Sequence, residues 1–269
     1  MSATIYMHEF RTRLKSVLVW SLSMAAIIYI FLSLYPGFSS EAALLNQVFA
    51  KMPPALLEAF GMTKTDLSSL LGFYSFVFLF AQLCLAIQAG NYGFGLVSIE
   101  ENELTADFLL SKPVSRTQIL TSKLLAAFTS LTITNLVVWA STYIGVASFK
   151  GDHPYSNATL LLLLGTIVIF QLFFFGVGLV ISLLVRRVRS VTPYSLGLGF
   201  GAYILAAFSG ILGEVKLEYI TPFKHLDPAY IVRTGSLDTP LVLLNAAVTL
   251  VALVASYWLY LRRDIHAVS

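Results

Sequence analysis

The side chains that most often carry out chemistry in proteins are few and scattered in this chain. There is one cysteine, Cys84, and the four histidines fall in four different connecting segments: His8, His153, His225 and His266. No two histidines stand at i, i+4, and none is grouped with acids at the spacing of metal ligands. No grouping of Ser, His and Asp can be argued either. We therefore expect neither a metal site nor catalytic residues.

A phosphate-binding loop is also missing from the sequence. The nearest approach, Gly61-Met-Thr-Lys64-Thr65, lacks the glycine that precedes the lysine in the Gly-x-x-x-x-Gly-Lys-Ser/Thr pattern. The chain is therefore predicted not to be an enzyme and to hold no cofactor of its own. Any energy source must be another protein or a gradient.

Composition indicates the solvent in which the chain folds. Hydrophobic residues make up 57% of its 269 positions and charged residues only 12%, whereas a soluble domain has about a quarter of its residues charged. Most of the apolar surface must then face lipid. The formal net charge of +3 is too small to indicate binding to nucleic acid.

Six long intervals of the sequence contain no Asp, Glu, Lys or Arg, and each is longer than the roughly 20 residues that cross a bilayer core. Only helices and closed barrels satisfy every backbone group in lipid, and a barrel would show short alternating segments instead. The sequence thus predicts an all-α membrane protein forming a single transmembrane domain over 1–269 with six spans. The spans are placed at 16–35, 70–99, 124–148, 158–185, 191–213 and 240–261.

The distribution of Lys and Arg among the connections predicts orientation. Eleven of these residues lie in the terminal and connecting segments on the side of the membrane that holds both termini, and six lie in the segments on the opposite side. We therefore expect a multi-pass protein of the plasma (inner) membrane with both termini cytoplasmic.

Residues 1–15 carry an apolar stripe formed by Tyr6, Phe10 and Leu14, with Glu9 and Arg13 on other faces. This pattern favours a helix at the cytoplasmic membrane surface that leads into the first span. The alternative is that these are ordinary charges flanking that span.

The connection between spans 2 and 3 predicts a short cytoplasmic helix over 100–112. Acids cluster at its start, Lys112 closes it before Pro113, and Leu104 and Phe108 give it an apolar stripe. Ser115 then provides an N-cap for the helix of span 3. Because such a helix is tied to two spans, it offers a docking surface for a soluble partner; the alternative is that it packs beneath its own spans.

Small and polar residues inside the spans have two possible uses. Gly197 and Gly201 favour a close helix contact, either between two copies of the chain or within one. The amides could line a substrate path or bridge helices: Gln82, Gln88, Asn91, Asn135 and Gln171. Carboxylates and lysines, the usual parts of an ion relay, are absent except near the span ends.

Two stretches carry a resemblance to a known family. The run from Thr105 through Pro113 to Arg116, with the acids before it, resembles the cytoplasmic loop of ABC-2 type permeases, the membrane subunits of type II (type V-fold) ABC exporters. The stretch Thr221-Pro-Phe-Lys-His-Leu-Asp227-Pro resembles the last outer loop of bacterial members. Helix number, loop positions and chain length agree over the whole sequence.

The resemblance implies a set of partners. Two permease chains would pair, and two copies of a separately encoded ABC ATPase would bind beneath them and hold ATP and Mg. The 100–112 helix would be the coupling helix that contacts the ATPase. The residues implied in this contact are Glu100, Glu101, Glu103, Leu104, Thr105, Asp107, Phe108, Leu109 and Arg116.

The expected function is therefore that of an exporter subunit moving a small hydrophobic or amphiphilic compound, such as a drug, a peptide antibiotic or a lipid. One alternative is an ABC-type membrane partner that does mechanical or maturation work without export. A secondary transporter is the other, and the lack of charged residues within the spans argues against it.

Overall fold

The computed structural model describes residues 2–41, 47–48, 50–53, 57, 66–102, 114–185, 188–211 and 216–262. These residues are helical, with no strand among them, and six of their helices are long and apolar enough to cross a membrane. The prediction of an all-α protein with six spans is confirmed. The long helices are α1 (Ala3–Ser33), α3 (Leu70–Asn102), α4 (Arg116–Phe149), α5 (Asn157–Leu184), α6 (Val191–Ile211) and α9 (Thr239–Arg262). The short ones are α2 (Tyr35–Ser40), α7 (Pro222–His225) and α8 (Pro228–Thr234).

Local chemistry sets the starts of α4 and α5. Ser115 and Gln118 form a capping box in which each side chain bonds the other residue's backbone N–H. The hydroxyl of Ser156 accepts from the Thr159 N–H at 3.2 Å and so caps α5. Ser115 was the predicted N-cap of the third span, and the fourth span was placed at 158–185.

Helix α1 runs beside α4 in the same direction along most of its length. The Ser2 N–H donates to the Ser122 hydroxyl at one end, and Leu32 meets Gly145 near the other. Residues 3–15 are the first turns of this continuous helix, so the helix predicted there leads into the first span without a break. Their position relative to the membrane surface stays a prediction.

We call the two ends of the bundle the N-terminal end and the distal end. At the N-terminal end, α1 begins, α3 ends, α4 begins and α9 ends, as contacts between these segments show. The distal end holds the connections between α4 and α5 and between α6 and α9.

The first apolar cluster surrounds Phe170, Phe174 and Phe175, and a second surrounds Tyr74, Phe78 and Leu163.

Glycines allow α3 and α5 to cross in close contact. A Cβ on Gly93 would overlap the backbone carbonyl of Phe175, and one on Gly178 would lie 3.2 Å from the Phe94 ring. Backbones approach this closely in lipid only where side chains are minimal. Helix α3 also packs on α6, and α5 packs on α9, so α3 and α5 form the centre of the bundle.

The connection between α6 and α9 re-enters the bundle from the distal end. This re-entrant segment, Leu217–Thr234, consists of a 3-10 turn (Leu217–Tyr219), α7 and α8. The Thr221 hydroxyl donates to the carbonyl of Ala202 at 2.7 Å, about two and a half turns inside the end of α6. Phe223 is buried against the rings of Phe170 and Phe174. By resemblance, the stretch from Thr221 to Pro228 was expected in an outer loop; in the structure its Phe223 and His225 are buried within the bundle.

Candidate functional site

The predicted coupling segment joins α3 to α4 at the N-terminal end. Glu100 and Glu101 belong to the last turn of α3, and Arg116 is the first residue of α4. The remaining predicted coupling residues lie outside the described residues: Glu103, Leu104, Thr105, Asp107, Phe108 and Leu109. What the structure describes are the two helices from which this segment emerges and the contacts that hold them.

A buried lysine ties the two helices together. Lys123, two turns into α4, is 2% exposed, and its Nζ donates to the carbonyl of Leu96 on α3 at 2.8 Å. The same Nζ lies 3.3 Å from Oε1 of Glu9 on α1. One ammonium group therefore contacts three helices, immediately next to the predicted coupling segment.

Glu9 is paired on a second side as well. Arg13 Nη1 donates to its Oε2 at 2.6 Å, and the Glu9 side chain is only 13% exposed. A carboxylate taken out of water needs such partners, because its desolvation costs several kcal/mol. We call Glu9, Arg13, Lys123 and the Leu96 carbonyl the junction.

The junction corrects part of the sequence reasoning. The apolar stripe of residues 1–15 placed Glu9 and Arg13 on a polar face, yet both side chains are largely buried against α4. Arg11 and Lys15 are exposed, as that reasoning expects. No local pattern could have found the junction, since Glu9 and Lys123 belong to different spans; the one available signal was a lone acid among basic residues.

The first turns of α4 are also tied to the end of α9. Arg116 Nη1 donates to the carbonyl of Leu261 at 3.3 Å. Little more than one turn further into the bundle, the hydroxyls of Thr121 and Tyr257 lie 2.9 Å apart. Arg116, predicted to contact an ATPase, thus also connects α4 to α9. A displacement at the start of α4 would therefore be felt by α1, α3 and α9.

The buried amides bridge helices. Gln88 Nε2 on α3 donates to the Thr134 hydroxyl on α4 at 2.9 Å, and its Oε1 accepts from Gln171 Nε2 on α5 at 3.3 Å. Asn91 accepts from Ser195 on α6 at 2.7 Å. Of the two uses open for these amides, the structure favours bridging for Gln88, Asn91 and Gln171.

The two remaining amides are also buried. Gln82 Nε2 donates to the carbonyl of Leu226 in the re-entrant segment at 3.0 Å. Asn135 is 7% exposed, and its Oδ1 has no hydrogen-bond partner among the described residues. Gln82 therefore holds the re-entrant segment in place.

The predicted glycine face on α6 points away from the rest of the subunit. A Cβ on Gly197 or on Gly201 would meet nothing within 4 Å, whereas one on Gly199 would lie 3.0 Å from Ile87. The described part of the subunit thus places Gly199, not its two neighbours, in the contact between α6 and α3. The contacts that do depend on glycine, at Gly93 and Gly178, were not predicted, although both glycines lie in apolar runs of the sequence.

Across the described ranges, no group of three His, Cys, Asp or Glu side chains could hold a metal ion. Charged side chains among these residues lie toward the ends of the long helices, with Lys123 and Glu9 the buried pair.

Comparison with known proteins agrees with this picture. The chain matches the family described as ABC-2 family transporter protein over residues 3–265, which is nearly its whole length. No curated protein matches it significantly.

Proposed function

We propose that this chain, which belongs to the ABC-2 family of transporter proteins, is the membrane-spanning subunit of an ATP-driven exporter. Members of this family are permease subunits that work with an ABC ATPase. The observation that supports the proposal in this chain is the junction, because it fixes both helices that flank the predicted coupling segment.

The proposed mechanism is mechanical. An ATPase dimer binds ATP and Mg and pushes on the 100–112 segment, whose ends continue into α3 and α4. Lys123 joins these helices to each other and to α1, so the push displaces three spans together. Packed helices shift between discrete arrangements more readily than they deform.

The proposed orientation places the N-terminal end in the cytoplasm and the distal end outside the plasma (inner) membrane. The excess of Lys and Arg at the N-terminal end supports it. The proposed partners are two copies of a separately encoded ATPase and a second copy of this chain. The open face at Gly197 and Gly201 supports the pairing of two copies.

The proposed substrate is a small hydrophobic or amphiphilic compound. The middle of α3 and α5 has no charged residue, so ions and highly charged solutes would find no compensating groups there. Work without export would use the same junction, and it is an outcome of the test below.

The test replaces 104–109 with a Gly-Ser segment of equal length and compares it with the unchanged chain. We expect the replaced chain to insert into the membrane, to lose co-purification of the ATPase, and to lose ATP-dependent efflux of a lipophilic fluorescent dye from proteoliposomes. Substitution of Glu101 or Phe108 should weaken the same two signals.

Efflux by the isolated chain without ATP would contradict the proposal and favour a secondary transporter. An ATPase that binds and hydrolyses ATP on the chain while no compound of this class moves would instead favour mechanical work without export.

A further inference from the structure

His225 is the only described histidine that is buried. It ends α7, deep in the re-entrant segment, and is 2% exposed. Its Nδ1 lies 3.3 Å from Nδ2 of Asn245 on α9, a residue with 0% exposure. Because an amide nitrogen is only a donor, Nδ1 accepts in this arrangement and the ring is neutral, with its proton on Nε2.

This contact leaves buried polar atoms without partners. The Oδ1 of Asn245 and the Nε2 of His225 have no hydrogen bond within the described part of the chain. The carbonyls of Glu218 and Tyr219 approach the ring without completing one. Buried polar atoms without a hydrogen bond cost free energy.

A proton is a ligand that needs no cavity. When Nδ1 is protonated it becomes a donor and faces the Asn245 Nδ2 group, which is also a donor, so their hydrogen bond is lost. If the amide rotates, its Oδ1 can accept from the protonated Nδ1. The charged ring still lies in an apolar setting next to Phe173, and this burial of charge costs free energy. Protonation therefore makes the packed position of α7 less favourable.

The charged neighbours of His225 are few. Asp238, just before α9, favours the protonated ring, and the carbonyls of Tyr219 and Glu218 act in the same direction. Burial outweighs them and lowers the pKa of His225 below its ordinary value. Lys224 and Asp227, 3.9 Å apart on the same segment, form a pair of opposite charges. The segments that face the ring from α5 (Phe173) and α9 (Asn245) contribute no charged side chain.

We propose that His225 is a proton-binding site through which acid on the distal side loosens the re-entrant segment. The inference rests on the proposed function only in assigning the distal side to the exterior. Among the described residues, three polar contacts hold the segment in the bundle: Gln82 with Leu226, Thr221 with Ala202, and Asn245 with His225. Protonation weakens the last of these, because either the hydrogen bond is lost or the amide rotates and a charged ring is left in an apolar setting.

The linkage between proton binding and opening of the re-entrant segment gives the direction and the slope of the pH dependence. The folded segment holds His225 neutral, whereas an opened segment exposes it at an ordinary pKa near 6.5. The closed state is therefore unaffected above about pH 6.5 and loses stability as the pH falls below it. Opening takes up one proton, so its equilibrium rises about tenfold per pH unit until the pKa of the closed state is reached.

The test measures hydrogen–deuterium exchange of the full chain in lipid nanodiscs between about pH 7.5 and 5.5. With intrinsic exchange rates corrected for pH, we expect protection of peptides covering 217–234 to fall in the unchanged chain, while peptides from α4 stay constant. His225→Gln should remove the pH dependence, and His153→Gln, an exposed histidine of the same end, should keep it.

Asn245→Asp is the second variant. A carboxylate facing Nδ1 would pair with the protonated ring, so acid should no longer loosen the segment. Protection that does not change with pH in the unchanged chain, or that falls equally in His225→Gln, would overturn the proposal. No ATPase or transport substrate is needed, so the result is independent of whether the chain exports anything.

Discussion

Lysine is rarely fully buried unless its charge is paired, and Lys123 meets this condition through Glu9 and the Leu96 carbonyl. At the residue scale this is the most consequential contact in the protein, because one side chain connects α1, α3 and α4. The partners of Lys123 lie on other helices, so no spacing along the chain reveals this contact.

Lys123→Met is the first prediction at this scale. The substitution keeps the stem but leaves the Glu9 carboxylate with Arg13 alone, so we expect the free energy of unfolding to fall by about 3 kcal/mol. Unfolding in mixed detergent micelles measures this change. Lys15→Met, at an exposed position of α1, is the control and should change stability by less than about 0.5 kcal/mol.

The same variant separates a structural role from one in transmission. If the junction transmits force, Lys123→Met should also reduce the ATP-dependent efflux obtained per ATP hydrolysed in the assembled complex. An unchanged ratio of efflux to hydrolysis, together with lower stability, would limit the junction to holding the fold.

At the scale of helices, boundaries followed from local chemistry. The capping residues Ser115 and Ser156 act within three residues of themselves, so their patterns were visible in the sequence. Contacts between helices were harder to predict from the sequence, because the position of a glycine does not indicate which helix it faces. Gly93 lies against α5, whereas the better-patterned Gly197 and Gly201 face away from the subunit.

Gly93→Ala tests the crossing of α3 and α5. The added methyl group would overlap the Phe175 carbonyl, and neither backbone can move freely, so we expect a loss of about 1–3 kcal/mol. Unfolding in mixed micelles provides the measurement. Gly165→Ala in α5 is the matched control, since a Cβ there meets nothing within 4 Å; equal losses in both would contradict the assigned contact.

Gly201→Leu tests the predicted contact between two copies of the chain. A Cβ at this position meets nothing within 4 Å among the described residues, so we expect the fold to be retained while close approach of a second copy is blocked. We expect native mass spectrometry to show a lower dimer fraction. The same change at Gly165 should leave that fraction unaltered, and a dimer that tolerates Gly201→Leu would place the interface elsewhere.

For the whole molecule, the number of spans was predictable because lipid excludes charge along each entire crossing. The re-entrant segment was not, because it contains charged residues and turns that are typical of an exposed loop. Its backbone is tolerated at that depth because side chains satisfy it: Gln82 bonds the Leu226 carbonyl, and Asp227 accepts from the N–H groups of α8.

Orientation is testable at this scale with Cys84→Ala as the background. In that chain, a cysteine placed at Ser236, an exposed position of the distal end, should react with a membrane-impermeant maleimide added to intact cells. A cysteine at Thr12, exposed at the N-terminal end, should react only after the membrane is permeabilised. The reverse pattern would invert the proposed topology.

The pairing of α1 with α4 has a consequence for how the protein is made. Helix α1 leaves the ribosome first, but the helix against which it packs is synthesised only after α3 has been completed. Until then Ser21 lacks its later partner on α4, and the Glu9 carboxylate has only Arg13 of the same helix as a partner. The nascent chain must therefore tolerate a first helix that is inserted yet unassembled.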